Sequence, residues 1–469
     1  MSPMEQRIKK EIGFKKSMDL VDMSQGSIYK VLIQFALPLM IGSIFQLLYN
    51  TTDLIFVGNF VGAEAAASVG ASTLLVTCMI GIFTGLATGT SVAVSHAVGA
   101  KRKKEANDLV HSSILFAILA GVFLTIVGEI LAPYLLSIMK TPQEILNSAS
   151  IYIRIYMISL VPLIIYNVGS GILRACGDST SPFYVLAVGG FINVLADALM
   201  IVGFNLDVKG AAIATSISQT FSAVMIIWLL LRGNKVVKLK KSSIKLHKEA
   251  VFKVLKLGLP AGIQSMTITL SNVMVQYYIN GFGTDTITAY AYYFKLESFI
   301  YLPVLAFGQA AMTFTAQNLG AGKMHRIKKG IFVSAVISMA TVVIISMGML
   351  SIGDTALGWF GKDASVTEIG LRIIAVSFPW YWLNSLIEVF SGTIRGLGHA
   401  FLSMVIVIGV ICLGRMVLLQ IIVTKYQSVE ALTGIYPTTW AIAAMLLFLG
   451  MLWILKRSDG SKDKIEKTE

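Results

Sequence analysis

Charge is scarce in this chain: only 13% of its 469 residues are Asp, Glu, Lys or Arg, whereas 55% are hydrophobic. A soluble protein of this length would expose more charge on its surface. The shortage therefore excludes an ordinary soluble globular protein. The chain instead contains long apolar runs, and these runs predict an all-α polytopic membrane protein.

The motifs of enzymes and metal sites are missing too. Cys78, Cys176 and Cys412 are isolated, and the five histidines have no partner at ligand spacing. Neither a disulfide framework nor a metal site is therefore predicted. The sequence has no Walker loop, no HExxH and no nucleophile elbow. We expect a protein that is not an enzyme and holds no cofactor. Without a nucleotide site, any transport runs on an ion gradient or is passive.

The apolar runs predict twelve transmembrane helices. Lys and Arg gather in alternate connections, with thirty of the 38 on one side and six on the other. This asymmetry follows the positive-inside rule and predicts that both termini are cytoplasmic. The net charge of +13 thus reflects topology and attraction to anionic lipid, not nucleic acid. No apolar segment precedes the first span, so we expect no cleavable signal peptide. The spans lie near 31–57, 67–96, 111–133, 151–172, 183–204, 210–231, 257–281, 286–316, 331–353, 367–392, 401–423 and 436–455.

The chain repeats itself at a fixed spacing. ALP at 36–38 returns as GLP at 258–260, 222 positions later, and GILRACG at 171–177 returns as GTIRGLG at 392–398. Each half holds six spans, so the sequence predicts two six-helix bundles related by a pseudo-two-fold axis along the membrane normal. The predicted parts are an N-terminal tail (1–30), an N-lobe (31–231), a basic linker (232–256), a C-lobe (257–455) and a C-terminal tail (456–469). The linker can lie on the inner membrane surface or be a solvated tether.

Proline and glycine positions predict the shape of several helices. Gly81, Gly85 and Gly89 form a GxxxGxxxG ridge on the second span, which is typical of close helix packing. A proline inside a span removes a backbone hydrogen bond and can bend its helix. Such prolines are Pro38, Pro162, Pro260, Pro303 and Pro379.

A polar stripe crosses the first span. Gln46, Tyr49 and Asp53 are spaced i, i+3 and i+7, which places them on one helix face. An unpaired carboxylate in hydrocarbon costs about 2.5–3.5 kcal/mol. The stripe therefore faces other helices or a wet cavity, and it predicts an ion or substrate site. The alternative is an idle, hydrated carboxylate just inside the outer interface.

A second acid lies at a similar depth in the same half. Asp197 follows Asn193 by one helical turn, on the same face. Counted from the outer ends of their spans, Asp53 is ~6 Å deep and Asp197 ~10 Å deep. Two carboxylates at matched depth can share a proton or bind Na⁺. The hydroxyl of Thr215 in GAAIATS can add a ligand there. A structural polar network is the competing interpretation.

Charged residues also fall inside spans of the second half. Glu297 and Lys295 are two positions apart in the eighth span and point to different faces. We expect an interhelical ion pair between Glu297 and Arg415, with Lys295 facing a cavity. The aromatic run FPWYW, Phe378–Trp382, is more often packing than a drug-binding platform.

At this point the residues resemble a known family. ALPLMIGSIFQLLYNTTDLIFVG, the NxxxD of Asn193–Asp197 followed by GAAIAT, the loop GAKRKKEA and the paired R-x-x-G turns resemble the MATE family of multidrug and toxic compound extrusion transporters, most closely its bacterial DinF-related branch. The resemblance covers roughly 28–456. It implies a V-shaped pair of six-helix bundles that exports organic cations by H⁺ or Na⁺ antiport.

The same resemblance implies a cation site in the first lobe. Positions that bind the cation in related prokaryotic members match Asp53, Asn193, Asp197 and Thr215, and neighbours of that site match Gln46 and Tyr49. The chain also departs from the family pattern. Some members have acids in the seventh and tenth helices, but MTITLSNVM (266–274) has none and position 384 is Asn. We therefore expect the coupling site in the first lobe alone.

Two other functional classes stay open. A flippase of lipid-linked or amphipathic substrates shares the ancestry, but we expect it to have fourteen spans and more basic cavity residues. A membrane enzyme or scaffold is disfavoured by the missing reactive motifs. The leading expectation is a monomeric, multi-pass protein of the bacterial cytoplasmic membrane. Its expected partners are the lipid bilayer and small organic cations or other amphipathic molecules, with H⁺ or Na⁺ as the transported ion.

Overall fold

The described part of the chain is helical throughout. The structure, a computed structural model, describes residues 21–138, 141–233, 236–361 and 363–466. These residues form helices joined by short turns, and no β-strand occurs among them. The predicted all-α class is confirmed.

The first of two compact units contains the described residues up to Ser72 together with Val94–Val251. Its helices are α1 (Ile28–Phe56), both ends of α2 (Ala63–Gly99), α3 (Lys103–Ile138), α4 (Gln143–Ile158), α5 (Leu160–Ala175), α6 (Thr180–Asp197) and α7 (Asp207–Arg232).

The second unit contains Thr73–Ala93, which is the middle of α2, and the described residues from Phe252 onward. Its other helices are most of α8 (Lys248–Asn280), then α9 (Thr284–Gly320), α10 (Met324–Ser351), α11 (Gly353–Gly358), α12 (Ala364–Ser377), α13 (Trp382–Gly396), α14 (Ala400–Val407), α15 (Arg415–Tyr426) and α16 (Val429–Glu466). Compared with the predicted N-lobe, 31–231, the first unit lacks residues 73–93 and adds the described residues before 31 and the linker as far as Val251. The division into lobes stays a prediction.

The helices are long enough to cross a bilayer. In the described residues, nine are sufficiently long and apolar, and two bent pairs bring the number to eleven. The seventh predicted span, 257–281, lies in α8, which has 33 residues but is more polar. Each of the twelve predicted spans therefore coincides with a helix or a bent pair, and the chain is a multi-pass membrane protein.

Two of the five span prolines lie beside sharp bends. α4 and α5 meet at an angle of 46° just before Pro162, and α12 and α13 meet at 45° just after Pro379. Pro38, Pro260 and Pro303 lie inside unbroken helices. Each of the two bends thus lies at a break of the helix next to a proline.

The glycine ridge on α2 packs directly against α8. A Cβ on Gly85 would overlap the backbone of Gly262, and a Cβ on Gly81 would lie 3.3 Å from the amide nitrogen of Met266. The predicted close packing is confirmed. This contact explains why the middle of α2 belongs to the second unit, because only glycine lets the two backbones approach so closely.

The central linker is held against the first unit. The Ser112 hydroxyl on α3 donates to the Lys245 carbonyl at 3.1 Å and accepts from the His247 amide at 3.0 Å. The Lys240 amide donates to Nε2 of His111 at 2.9 Å. Over these residues the linker is a docked segment and not a solvated tether, and from Lys248 onward it is helical.

Candidate functional site

Two π-helical turns lie beside two acids of the first unit, the half-buried Asp53 and the buried Asp197. Asp53 stands one turn before Val57–Val61, which continues α1 as a π-helix, and Asp197 is the last residue before Ala198–Gly203, which does the same for α6. The two π-helical turns contact each other. π-Helical turns are rare and often mark functional positions. Their contact brings the ends of α1 and α6 together.

The carboxyl groups of Asp53 and Asp197 face one another within hydrogen-bonding reach. Asp197 is fully buried. Neither of its carboxylate oxygens, nor Oδ1 of Asp53, has a hydrogen-bond donor among the described residues. Two ionised carboxylates repel each other, whereas a proton or a cation between them removes the repulsion. The pair is therefore suited to hold one mobile positive charge.

Asn193 and Thr215 lie on α6 and α7, two helices that pack against each other. Asn193 is fully buried one turn before Asp197, and neither its amide oxygen nor its amide nitrogen has a partner in the described part of the chain. Thr215 is buried on α7, which packs along α6, and its hydroxyl donates to the Ala211 carbonyl at 3.0 Å. That bond occupies the proton of Thr215 and leaves its lone pairs free to accept. That these two side chains join the two carboxyls in one oxygen-rich set, of the kind that fits a proton or a hard cation, stays a prediction.

An apolar cluster lies between the carboxyls and the nearby ends of the helices. Its members come from both π-helical turns and from α2 and α7, so it keeps water away from that side of the site. Charges interact more strongly where water is excluded. The buried members are Val57, Ala65, Ile201, Val208 and Ala211, and Phe56, Val61, Val69 and Tyr152 pack against them.

Tyr152 and Tyr156 are the neighbours that the sequence analysis missed. They lie one turn apart on α4 with ring centroids 6.1 Å from each other. Tyr152 is within electrostatic range of both carboxyls, and Tyr156 is within range of Asp53. The sequence contains one signal that could have identified them. Two tyrosines at i and i+4 inside a predicted span share one face of that helix, and this is the face that can contact the polar residues of α1 and α6.

Three other predicted residues are not brought into this cluster. Gln46 is exposed on α1, and Lys295 is exposed on α9. The side chain of Tyr49 lies outside the described part of the structure. Their supporting or cavity-lining roles stay predictions.

The buried charges of the second unit pair differently from the expectation. The carboxylate of Glu297 accepts a hydrogen bond from the Tyr381 hydroxyl at 3.1 Å. The Arg415 guanidinium lies 4.6 Å from the centroid of the Tyr436 ring and donates to the Thr439 hydroxyl at 3.3 Å. Glu297 and Arg415 attract each other, but among the described residues no ion pair within 4.0 Å joins them.

A family model for MatE matches the chain twice, over residues 38–199 and 260–421. The chain belongs to the MatE family. The two matches begin at the spacing that the repeated motifs predict, and the MATE resemblance is confirmed at the level of the family. The DinF-related branch stays a prediction.

Relatives of this MatE protein are named as drug-resistance and export proteins. It is similar to the probable multidrug resistance protein YoeA of Bacillus subtilis, with 27% identity over 91% of this chain and 94% of that protein. It is also similar to the multidrug export protein MepA of Staphylococcus saprophyticus, with 22% identity over 92% of this chain and 96% of that protein. A solved structure described as an outward-facing conformation of a multidrug resistance MATE family transporter matches with a TM-score of 0.87 and 21% identity, over 96% of this chain and 100% of that chain. The last match shows the fold alone.

Proposed function

We propose that this protein is a secondary active antiporter, which exports lipophilic or cationic organic compounds in exchange for H⁺ or Na⁺. The observation that carries the proposal is the buried pair of Asp53 and Asp197, whose facing oxygens have no donor among the described residues. Intramembrane acids are costly and are mostly functional. The names of the relatives, multidrug resistance and multidrug export proteins, support the substrate class.

In this mechanism the ion is cargo. Asp53 and Asp197 hold it between their carboxyls, while the amide oxygen of Asn193 and the hydroxyl of Thr215 complete the oxygen set. Binding removes the repulsion between the acids, and release restores it. The net charge of the carboxyl pair therefore differs between the ion-bound and ion-free states. The ion can shift a conformational equilibrium if one conformation accommodates the charged pair better than the other does.

The topology belongs to the same proposal. Both termini and the basic connections lie in the cytoplasm, because thirty of the 38 basic residues fall on that side. The protein is a monomer of the bacterial cytoplasmic membrane, with coupling confined to the first lobe. H⁺ or Na⁺ is the only ion required, and no cofactor takes part.

The test is efflux of ethidium from proteoliposomes under an imposed pH or Na⁺ gradient. We compare the wild type with Asp53→Asn and Asp197→Asn, which remove the charge and keep the shape. The matched control is Glu144→Gln, a neutralised carboxylate exposed on α4 of the same unit. We expect the wild type and the control to respond to a gradient, and both pair variants to lose the response. The gradient that works identifies the ion.

Two outcomes contradict the proposal. If the wild type moves no dye under either gradient, export of cationic compounds is wrong, and gradient-independent movement of an amphipathic lipid would then favour a flippase. If the wild type pumps and both Asp variants pump normally, Asp53 and Asp197 are structural and the coupling site lies elsewhere.

A further inference from the structure

Three basic side chains from three separate elements meet at one end of the second unit. Lys256 lies near the start of α8, His399 immediately precedes α14, and Arg457 lies on α16. All three side chains are exposed. The positive charges of Lys256 and Arg457 both act on the imidazole of His399. This end of the unit therefore has a compact basic patch, formed by Lys256, His399 and Arg457.

Helix packing fixes the patch at the end of two spans. α14 and α16 pack against each other, and a Cβ on Gly450 would lie 3.4 Å from side-chain atoms of both Leu402 and Ile406. The apolar span of residues 400–423 begins directly after His399, and the span of residues 429–457 ends at Arg457. Both basic residues therefore stand where hydrocarbon gives way to headgroups.

Exposed aromatic side chains flank the patch. Trp453 is 56% exposed, and the Arg457 guanidinium lies 5.5 Å from the centroid of its ring. Phe252, one turn before Lys256, and Phe401, two residues after His399, are also exposed. A tryptophan with a neighbouring cation is typical of the depth at which lipid headgroups lie. The aromatic surface gives acyl chains a place to pack directly below the charges.

No acid among the described side chains balances the charge of the patch. None of the three basic groups forms an ion pair there. Partial burial, together with the charges of Arg457 and Lys256, lowers the pKa of His399. The two permanent charges thus disfavour protonation of His399, and an anion placed among the three groups would remove this repulsion.

We propose that Lys256, His399 and Arg457 form a binding site for the phosphodiester headgroup of an anionic phospholipid. A free phosphate would match the charges but would make no use of Trp453, Phe252 and Phe401. A lipid satisfies both the charged and the apolar parts of the surface. The site belongs to the leaflet that meets this end of the second unit, and it is separate from the carboxyl pair of the first unit.

The first test follows the titration of His399 by NMR, in the full-length protein labelled at histidine. The protein is placed in nanodiscs of phosphatidylcholine alone, or of phosphatidylcholine with phosphatidylglycerol. A bound phosphodiester stabilises the imidazolium, so we expect phosphatidylglycerol to raise the pKa of His399. His325, exposed in the first turn of α10, reports the general surface potential. An equal rise at both histidines would overturn the proposal, and so would the same rise from inorganic phosphate in phosphatidylcholine discs.

The second test compares two double variants that remove the same charge. Lys256→Gln with Arg457→Gln empties the patch of its permanent charges, whereas Lys103→Gln with Lys104→Gln removes two exposed lysines from the first turn of α3. We measure the preference for spin-labelled phosphatidylglycerol over phosphatidylcholine. Each basic residue near a membrane surface contributes enough attraction for a roughly fivefold loss per removed charge. We expect that loss only in the first double variant; equal losses in both would show general attraction without a site.

Discussion

A Cβ on Gly89 of α2 would lie 2.7 Å from the Cα of Gly258 on α8. Real Cβ atoms essentially never come closer than 3.0 Å to such a neighbour. The two backbones therefore cross in contact, and the contact leaves no room for even a methyl group. Helices that touch in this way cannot slide or rotate against each other without separating.

Gly89→Ala is expected to destabilise the protein. The added methyl group meets backbone atoms that cannot turn away, and overpacking of this kind costs about 1–3 kcal/mol. Thermal unfolding of the purified protein in detergent measures the loss. Gly348→Ala is the matched control, because a Cβ at Gly348 of α10 meets nothing within 4 Å. The packing argument is wrong if the two variants unfold at the same temperature.

Asn193→Leu is expected to raise stability while abolishing coupling. The buried amide of Asn193 has no partner among the described residues, so its replacement by an apolar group of similar volume removes an unsatisfied polar group, worth about 1–3 kcal/mol. Gradient-driven efflux should fall at least tenfold, because the ion loses an oxygen ligand. Ser113→Ala is the control: the Ser113 hydroxyl is also buried without a described partner, but it lies on α3, away from the carboxyl pair. A stable Asn193→Leu protein with normal efflux would remove Asn193 from the site.

Glu297→Gln is expected to keep gradient-driven efflux. Glu297 accepts its hydrogen bond from Tyr381, and glutamine retains an oxygen that can accept the same bond. Tyr381→Phe removes the donor and should lower the unfolding free energy by about 1–3 kcal/mol, since a buried acceptor loses its partner. Efflux and thermal unfolding of both variants are measured beside Asp53→Asn. If Glu297→Gln folds normally and loses efflux as completely as Asp53→Asn, coupling is not confined to the first unit.

The docked linker is expected to loosen when His111 is replaced by alanine. Nε2 of His111 accepts the Lys240 amide, while Nδ1 lies 2.6 Å from the Asn107 carbonyl and donates to it. His111→Ala removes that acceptor, so protection of the Lys240 amide from hydrogen exchange should fall.

The effect at Lys240 has its own control. His325→Ala, changed in the first turn of α10, should behave as the wild type. A Lys240 amide that is equally protected in the wild type and in His111→Ala, after correction for intrinsic exchange, would show that the contact with His111 does not hold the linker.

Sequence reasoning predicted the transmembrane helices well because hydrocarbon leaves few choices. A backbone in lipid must satisfy its own hydrogen bonds, so each apolar run of sufficient length becomes a helix. The close packing at the GxxxGxxxG ridge was also predictable, since small residues at this spacing commonly let two transmembrane helices approach closely. The helical end of α16 was not, because Lys456 and the polar residues after it carry no apolar pattern, yet the helix continues to Glu466.

The carboxyl pair was predictable from depth, but its surroundings were not. Counting residues from the ends of two spans placed Asp53 and Asp197 at similar levels, and the structure has them face to face. Tyr152 comes from a third helix, whose position beside the pair depends on packing that no local pattern encodes. The partners of Glu297 and Arg415 were missed for the same reason, because several tyrosines and a threonine compete for two charges.

The π-helical turns beside the buried charges change the phase of their helices. Each such turn holds one residue more than an α-turn, so side chains beyond it are rotated by roughly 100° from where an unbroken α-helix would place them. The turn before Arg415, Ile408–Gly414, also leaves the carbonyl of Ile411 able to accept from the Ser271 hydroxyl at 3.3 Å. A helical wheel with a constant α-helical step, drawn through any of these segments, therefore places the residues on one side of the π-helical turn on the wrong face.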